Sequence, residues 1–216
     1  MDSIWQVVLT SSVVSTGLST GIAFFSKYLV ERRQEGSAAQ ILARELEAYV
    51  RACAREIKAT DAATDRAVRV GNTEPLDSRD LPAANFQLVG IDRLDPIWRD
   101  RIASFPERVA EKKRWLAAQW PEEDPMEYMD LLQDAEAELG RAAYRLAAEL
   151  RQARKLPTTV AAEECRAALD TFADIEKRQQ DRAIRVAAYH ASFMQGAGLS
   201  PQNQNNPAGS EERSQL

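Results

Sequence analysis

Charge and apolarity separate first at the amino end of the chain. Residues 3–26 hold no charged side chain; Asp2 precedes them and Lys27 follows. A run of that length matches the roughly 20 apolar residues a helix needs to cross the hydrocarbon core of a bilayer. Trp5 and Tyr28 stand near its two ends, where aromatic belts sit. Hydroxyl side chains such as Ser11, Ser15 and Thr20 interrupt the run, and they survive in an apolar helix by bonding back to a carbonyl one turn earlier. The run has neither a basic n-region nor an Ala-x-Ala site, so it reads as an uncleaved anchor rather than a signal peptide. A buried soluble helix is the rival reading.

Beyond the anchor the period changes to amphipathic helix. Leu42, Leu46, Tyr49, Cys53 and Ile57 form one stripe over a helix expected at about 38–70, ahead of Gly71. Gly36 loosens the joint before it, and Ser37-Ala38-Ala39-Gln40 reads as a capping box. Asp95-Pro96 starts a short helix to about 103, which Ser104-Phe105-Pro106-Glu107 restarts. Phe105, Val109, Leu116 and Trp120 mark the face of that next helix. Asp124-Pro125 repeats the start signal. Tyr128, Leu132, Ala135, Leu139, Ala142, Leu146 and Leu150 then give the clearest stripe of the chain, up to Pro157. Gly140 inside it costs up to ~1 kcal/mol unless a neighbouring helix packs close. The last helix begins after Thr158 or Thr159 and runs to about 195. Cys165, Leu169, Phe172, Ile175, Ala183, Val186, Tyr189 and Phe193 mark its buried side. The expected fold class is all-α: one transmembrane helix followed by an antiparallel bundle of about four long helices.

This pattern divides the chain into three regions. Residues 1–36 are the anchor and its juxtamembrane joint, residues 37–196 the bundle, and residues 197–216 a polar, low-complexity tail expected to be disordered. The anchor lacks basic residues on its amino side and has Lys27, Arg32 and Arg33 on the other. The positive-inside rule therefore places the bundle on the cytoplasmic side of a single-pass protein. The same three cations are candidates for lipid headgroup contact. Gly17-x-x-x-Gly21 is a small-residue spacing that lets two membrane helices approach, so Gly17 and Gly21 are candidates for a homo-oligomeric contact.

Composition and charge narrow the function. The formal net charge is −5; residues 1–36 balance to zero and residues 197–216 sum to −1, leaving −4 on the bundle. No basic face points to nucleic acid. Cys53 and Cys165 belong to no Cys-x-x-Cys unit and read as small buried hydrophobes. His190 is the single histidine. Phosphate loops, nucleophile elbows and His/Cys metal spacings do not occur, and no cofactor is expected. The carboxylates Glu45, Glu47, Glu56, Glu136, Glu138 and Glu149 read as surface partners of Arg at i+3 or i+4, as in Glu47 with Arg51 and Glu138 with Arg141.

One irregular stretch is unusual. Residues 71–95 contain Pro75 and Pro82, yet also Phe86, Leu88, Val89 and Ile91, with Trp98 just beyond. Two outcomes fit so apolar a loop: it completes the core locally, or it leaves an exposed patch for a partner. The sequence as a whole points to a membrane-anchored interaction or scaffold protein, not an enzyme, whose partners are lipids and a protein of unknown identity. A regulatory bundle that relays a partner's signal is one alternative. An enzyme whose carboxylates converge only in the fold is the other.

Overall fold

The protein is described by a computed structural model covering residues 2–76, 79–120 and 124–196; the side chains of residues 2–26, 28–29, 75 and 195–196 are left aside. These residues form four α-helices and no strand: α1 (Asp2–Val70), α2 (Pro96–Gln119), α3 (Pro125–Arg154) and α4 (Val160–Gly196). Two 3-10 turns, Glu74–Leu76 and Ile91–Arg93, lie between α1 and α2. The chain's internal contacts divide it into two compact units, Met1–Ile175 and Glu176–Leu216.

Helix starts form where the sequence places an Asx residue before proline. Asp95 accepts from the Ile97 amide at 3.0 Å and Asp124 from the Met126 amide at 2.8 Å, each with Pro at the first helical position. Thr159 caps α4 through the Ala162 amide at 3.3 Å. The left-handed Gly71 closes α1: its amide and that of Asn72 both bond the Ala67 carbonyl. Lys155 closes α3 in the same left-handed conformation.

Two expected breaks are absent. The joint at Gly36 does not interrupt α1. Ser37 does not cap a new helix; its hydroxyl donates to the Arg33 carbonyl at 3.0 Å, one turn back within the same helix. A single glycine among good helix formers costs about 1 kcal/mol, too little to stop a helix that is already propagating. Likewise α2 runs through Pro106, and the Ser104 hydroxyl donates back to the Arg101 carbonyl at 3.2 Å instead of starting a helix.

The first unit is built on α1 and α3, which run antiparallel. Glu35 pairs with Arg154, Glu47 with Arg151, and the Ile57 carbonyl with Gln133, so numbers rise on one helix as they fall on the other. Helix α2 lies antiparallel to α3, held by Arg101–Glu149 at 2.7 Å and Lys112–Glu138 at 2.8 Å. The start of α4 meets α1 through Arg51–Glu164 and through the Cys165 thiol, which donates to the Glu47 carbonyl. Leu42, Leu46, Tyr49, Cys53 and Ile57 are all buried, as are Phe105, Val109 and Leu116. On α3 Ala142 is the one stripe residue only half-buried. Cys165, Phe172 and Ile175 are buried on α4.

The second unit departs from expectation. Ala183, Val186, Tyr189 and Phe193 are exposed, although their spacing extends the buried stripe of α4. A stripe records the phase of apolar residues; it does not supply the surface that covers them. Among the described residues no helix is long and apolar enough to cross a membrane. The side chains of the uncharged run 3–26, including Trp5 and the Gly17/Gly21 pair, lie outside those residues, as does the whole tail 197–216.

Gly140 explains how α4 seats on α3. A Cβ there would stand 2.8 Å from Phe172 Cε2 and closer still to Cζ, and Phe172 is fully buried. Gly140→Ala is expected to lower stability by about 1–3 kcal/mol through overpacking, despite a gain of about 1 kcal/mol in helix propensity. Urea unfolding of the two proteins checks this; an unchanged or higher midpoint would show that the Phe172 ring yields.

Candidate functional site

The first polar feature is a buried ion pair. Arg151 and Glu47 are 8% and 2% exposed. The guanidinium donates to both carboxylate oxygens, Nε at 2.5 Å and Nη2 at 3.0 Å, a bidentate fork. Its remaining donors reach the Pro157 carbonyl at 2.7 Å and the Thr159 hydroxyl at 3.3 Å. One side chain therefore joins α1, α3, the turn between α3 and α4, and the cap of α4. This corrects the surface pairing of Glu47 with Arg51; Arg51 instead meets Glu164 at 3.5 Å. Glu138 likewise pairs with Lys112 across helices. The cause is geometry: Glu47 lies four residues after Ala43 and three before Val50, so it points into the interface with them.

The second feature is Glu136, fully buried, with neither carboxylate oxygen partnered. It faces α1, where Tyr49, Cys53 and Glu56 stand, and Arg79 of the connecting segment. Arg79 reaches Glu56 at 3.6 Å, but its Nε is buried without a partner, as is Thr60 Oγ1. Burial pushes the Glu136 carboxyl up to about 9; the nearby Glu56 adds to the rise and Arg79 opposes it. Glu136 is thus a neutral acid at pH 7. Burial also raises the Tyr49 hydroxyl and the Cys53 thiol, and moves the Cys165 thiol up to about 11. These thiols are protonated, unreactive core groups. Among the described residues no group of three or more His, Cys, Asp or Glu side chains is placed to hold a metal.

The candidate partner surface divides. Phe86 turns inward: its ring stacks on Phe105 at 5.6 Å and meets the edge of Tyr49 at 5.9 Å. Ile91 and Trp98 are half-buried against the core, and Leu76, Leu81 and Leu94 are buried within it. Gly90, at φ 76°, lets this segment approach α1, since a Cβ there would lie 3.0 Å from Ala38 Cβ. Leu88 and Val89 remain exposed, 37% and 63%. Lys27, Arg32 and Arg33 are exposed, and Lys27 lies 3.9 Å from Glu31. A shallow groove of about 280 Å³ opens between α2 and α3, lined by Arg108, Glu111, Lys112, Trp115, Glu138 and Leu139. Lys112 lies over the Trp115 ring and pairs with Glu138, so these two charges of the groove satisfy one another.

The sequence reading missed the burial of Glu47, Glu136 and Arg151, although all three share the phase of the stripes. Glu136 follows Leu132 by four and precedes Leu139 by three; Arg151 follows Ala147 by four. Phase, not residue type, was the usable signal. No family model, curated protein or solved structure matches this chain.

Removing one partner of the buried pair leaves the other charge stranded. Glu47→Ala is expected to cost about 3–5 kcal/mol, and Glu47→Leu with Arg151→Met much less. Equal losses in the single and double variants, measured by denaturant unfolding, would count against this role. For Glu136 the sign follows from its two protonation midpoints, 4.5 as the ordinary value and about 9 in the fold. Below 4.5 both states are protonated and folding carries no penalty. Between 4.5 and 9 the unfolded state releases its proton first, so stability falls as pH rises. Glu136→Gln is expected to match the wild type near pH 4.5 and to exceed it by several kcal/mol at pH 9. A difference that does not change with pH would remove this assignment.

Proposed function

We propose that the chain is a membrane-anchored interaction or scaffold protein, held by the amino-terminal part of α1 with its bundle on the cytoplasmic side. The observation that carries the interaction reading is exposed apolar surface on ordered backbone. Ile184, Tyr189 and Phe193 are more than 60% exposed on α4, and Leu88 and Val89 project from a connecting segment whose other apolar residues pack into the core. Exposed apolar groups that adjoin one another mark docking surfaces, and Val89 follows Leu88 directly. Support for the anchor lies in the 24 uncharged residues 3–26 and the one-sided cations after them. Lys27, Arg32 and Arg33 would meet anionic headgroups, and Gly17 with Gly21 would line a contact between two membrane helices.

Glu136 favours a second reading, acid–base chemistry, because raised carboxyl groups are what such enzymes use. Its complete burial keeps it from a substrate and so speaks against that reading. A relay of a partner's signal remains within the interaction reading.

The experiment pairs localisation with capture. The full chain should sediment with membranes and resist carbonate extraction, and a chain lacking residues 2–30 should not. Leu88→Asp with Val89→Asp should leave the melting temperature within about 2 °C, since surface changes act by about 0.5 kcal/mol or less. The same variant should lose partners in an affinity pull-down from solubilised native membranes. A chain found free of membranes would overturn the anchor, and a variant that keeps every partner would remove Leu88 and Val89 from the surface.

A further inference from the structure

Helix α4 carries one seam along its length. Cys165, Ala168, Phe172 and Ile175 step by three, four and three residues, and each is 6% exposed or less. The same alternation continues without a slip through Gln179, Arg182, Val186, Tyr189 and Phe193. A strict three–four alternation is the 3.5-residue period by which one helix packs along another. In the first unit that seam is covered. In the second unit Val186, Tyr189 and Phe193 are 55%, 68% and 63% exposed.

Charge decides what fits this second half. Residues 176–196 hold Lys177, Arg178, Arg182 and Arg185 against Glu176 and Asp181. Two such helices side by side in parallel bring Arg182 onto Arg182 within the seam, an unfavourable layer. Antiparallel pairing about a two-fold axis between residues 187 and 188 removes it. Arg182 of one copy then lies in the layer of Phe193 of the other, where a guanidinium over an aromatic face is favourable. Val186 lies with Tyr189, and Arg185 runs beside Ser192. Ala183 flanks the seam and adds no bulk there. The segment is self-complementary in this one direction, as a two-fold contact requires.

We propose that residues 176–196 bind the same segment of a second copy of this chain as an antiparallel helix pair. The proposal rests on the interaction reading above and names its partner at this seam.

Cross-linking of the full chain in detergent tests it, with Gly17→Ile and Gly21→Ile present so that the other candidate contact holds no pair together. Ala183→Cys and His190→Cys are placed on separate chains carrying tags of different length. Antiparallel pairing sets residue 183 of one copy beside residue 190 of the other, within roughly 3 Å along the axis at ~1.5 Å per residue. A parallel pair holds these positions on opposite sides of the seam. Cys53 and Cys165 are fully buried, so the introduced thiols are the reactive ones. The expected result is a mixed-tag disulfide that falls to background when Val186→Asp and Phe193→Asp are added, with the unfolding midpoint unchanged. Absence of the mixed disulfide overturns the proposal, and so does a disulfide that survives the two aspartates. Either failure leaves the interaction reading to the Leu88/Val89 capture experiment, which does not use this segment.

Discussion

The fork between Arg151 and Glu47 is the constraint on which the first unit depends. An arginine buried near the end of a helix must have its donors satisfied, because a stranded guanidinium in the interior is costly. Here the partners come from separate places: Glu47 of α1, the Pro157 carbonyl of the turn, and the Thr159 hydroxyl that also caps α4. Satisfying one side chain thus fixes the register of α1 against α3, the path of the turn, and the starting point of α4. The Cys165 thiol, donating to the Glu47 carbonyl, adds a tie from the first turns of α4 to the same residue. Apolar packing supplies the bulk of the driving force but tolerates sliding. A bidentate ion pair at this position does not.

The segment between α1 and α2 obeys a second constraint, aromatic packing. Tyr49, Phe86 and Phe105 come from a helix, a loop and another helix, and their rings lie 5.4 to 5.9 Å apart. Edge-to-face and offset contacts of this kind add to simple burial. They account for an apolar stretch that forms no long helix yet packs as part of the core. The Arg79–Glu56 pair and the Asp80–Lys113 contact pin its middle to α1 and α2. Beneath this cover sits Glu136, whose neutral form is what the interior accommodates.

Much of this was legible in the residues. Asp95-Pro96 and Asp124-Pro125 stated their helix starts, because capping geometry is local. The stripes on α1 and α3 named the buried faces correctly, since burial follows phase. What local rules could not give was competition between outcomes. Ser37 and Ser104 have the chemistry of caps, yet inside a propagating helix the same hydroxyls turn back to the preceding turn. Glu47 and Glu136 have the chemistry of surface carboxylates, and only their phase placed them inside. The second half of α4 shows the reverse: Val186 and Phe193 have the phase of a core, and both stand exposed.

The continuity of α1 through Gly36 has a mechanical meaning. A hinge at that point would let the amino-terminal part of the helix turn or tilt without effect on residues beyond it. An unbroken rod from Asp2 to Val70 carries torque and axial load along its axis. Rotation of its amino-terminal part by 100° is equivalent to a shift of one residue in the face it presents at the other end. That face includes Glu47, locked to Arg151, and the residues opposite Glu136. Load applied to the amino-terminal segment would therefore arrive at the ion pair and the neutral carboxyl buried between α1 and α3.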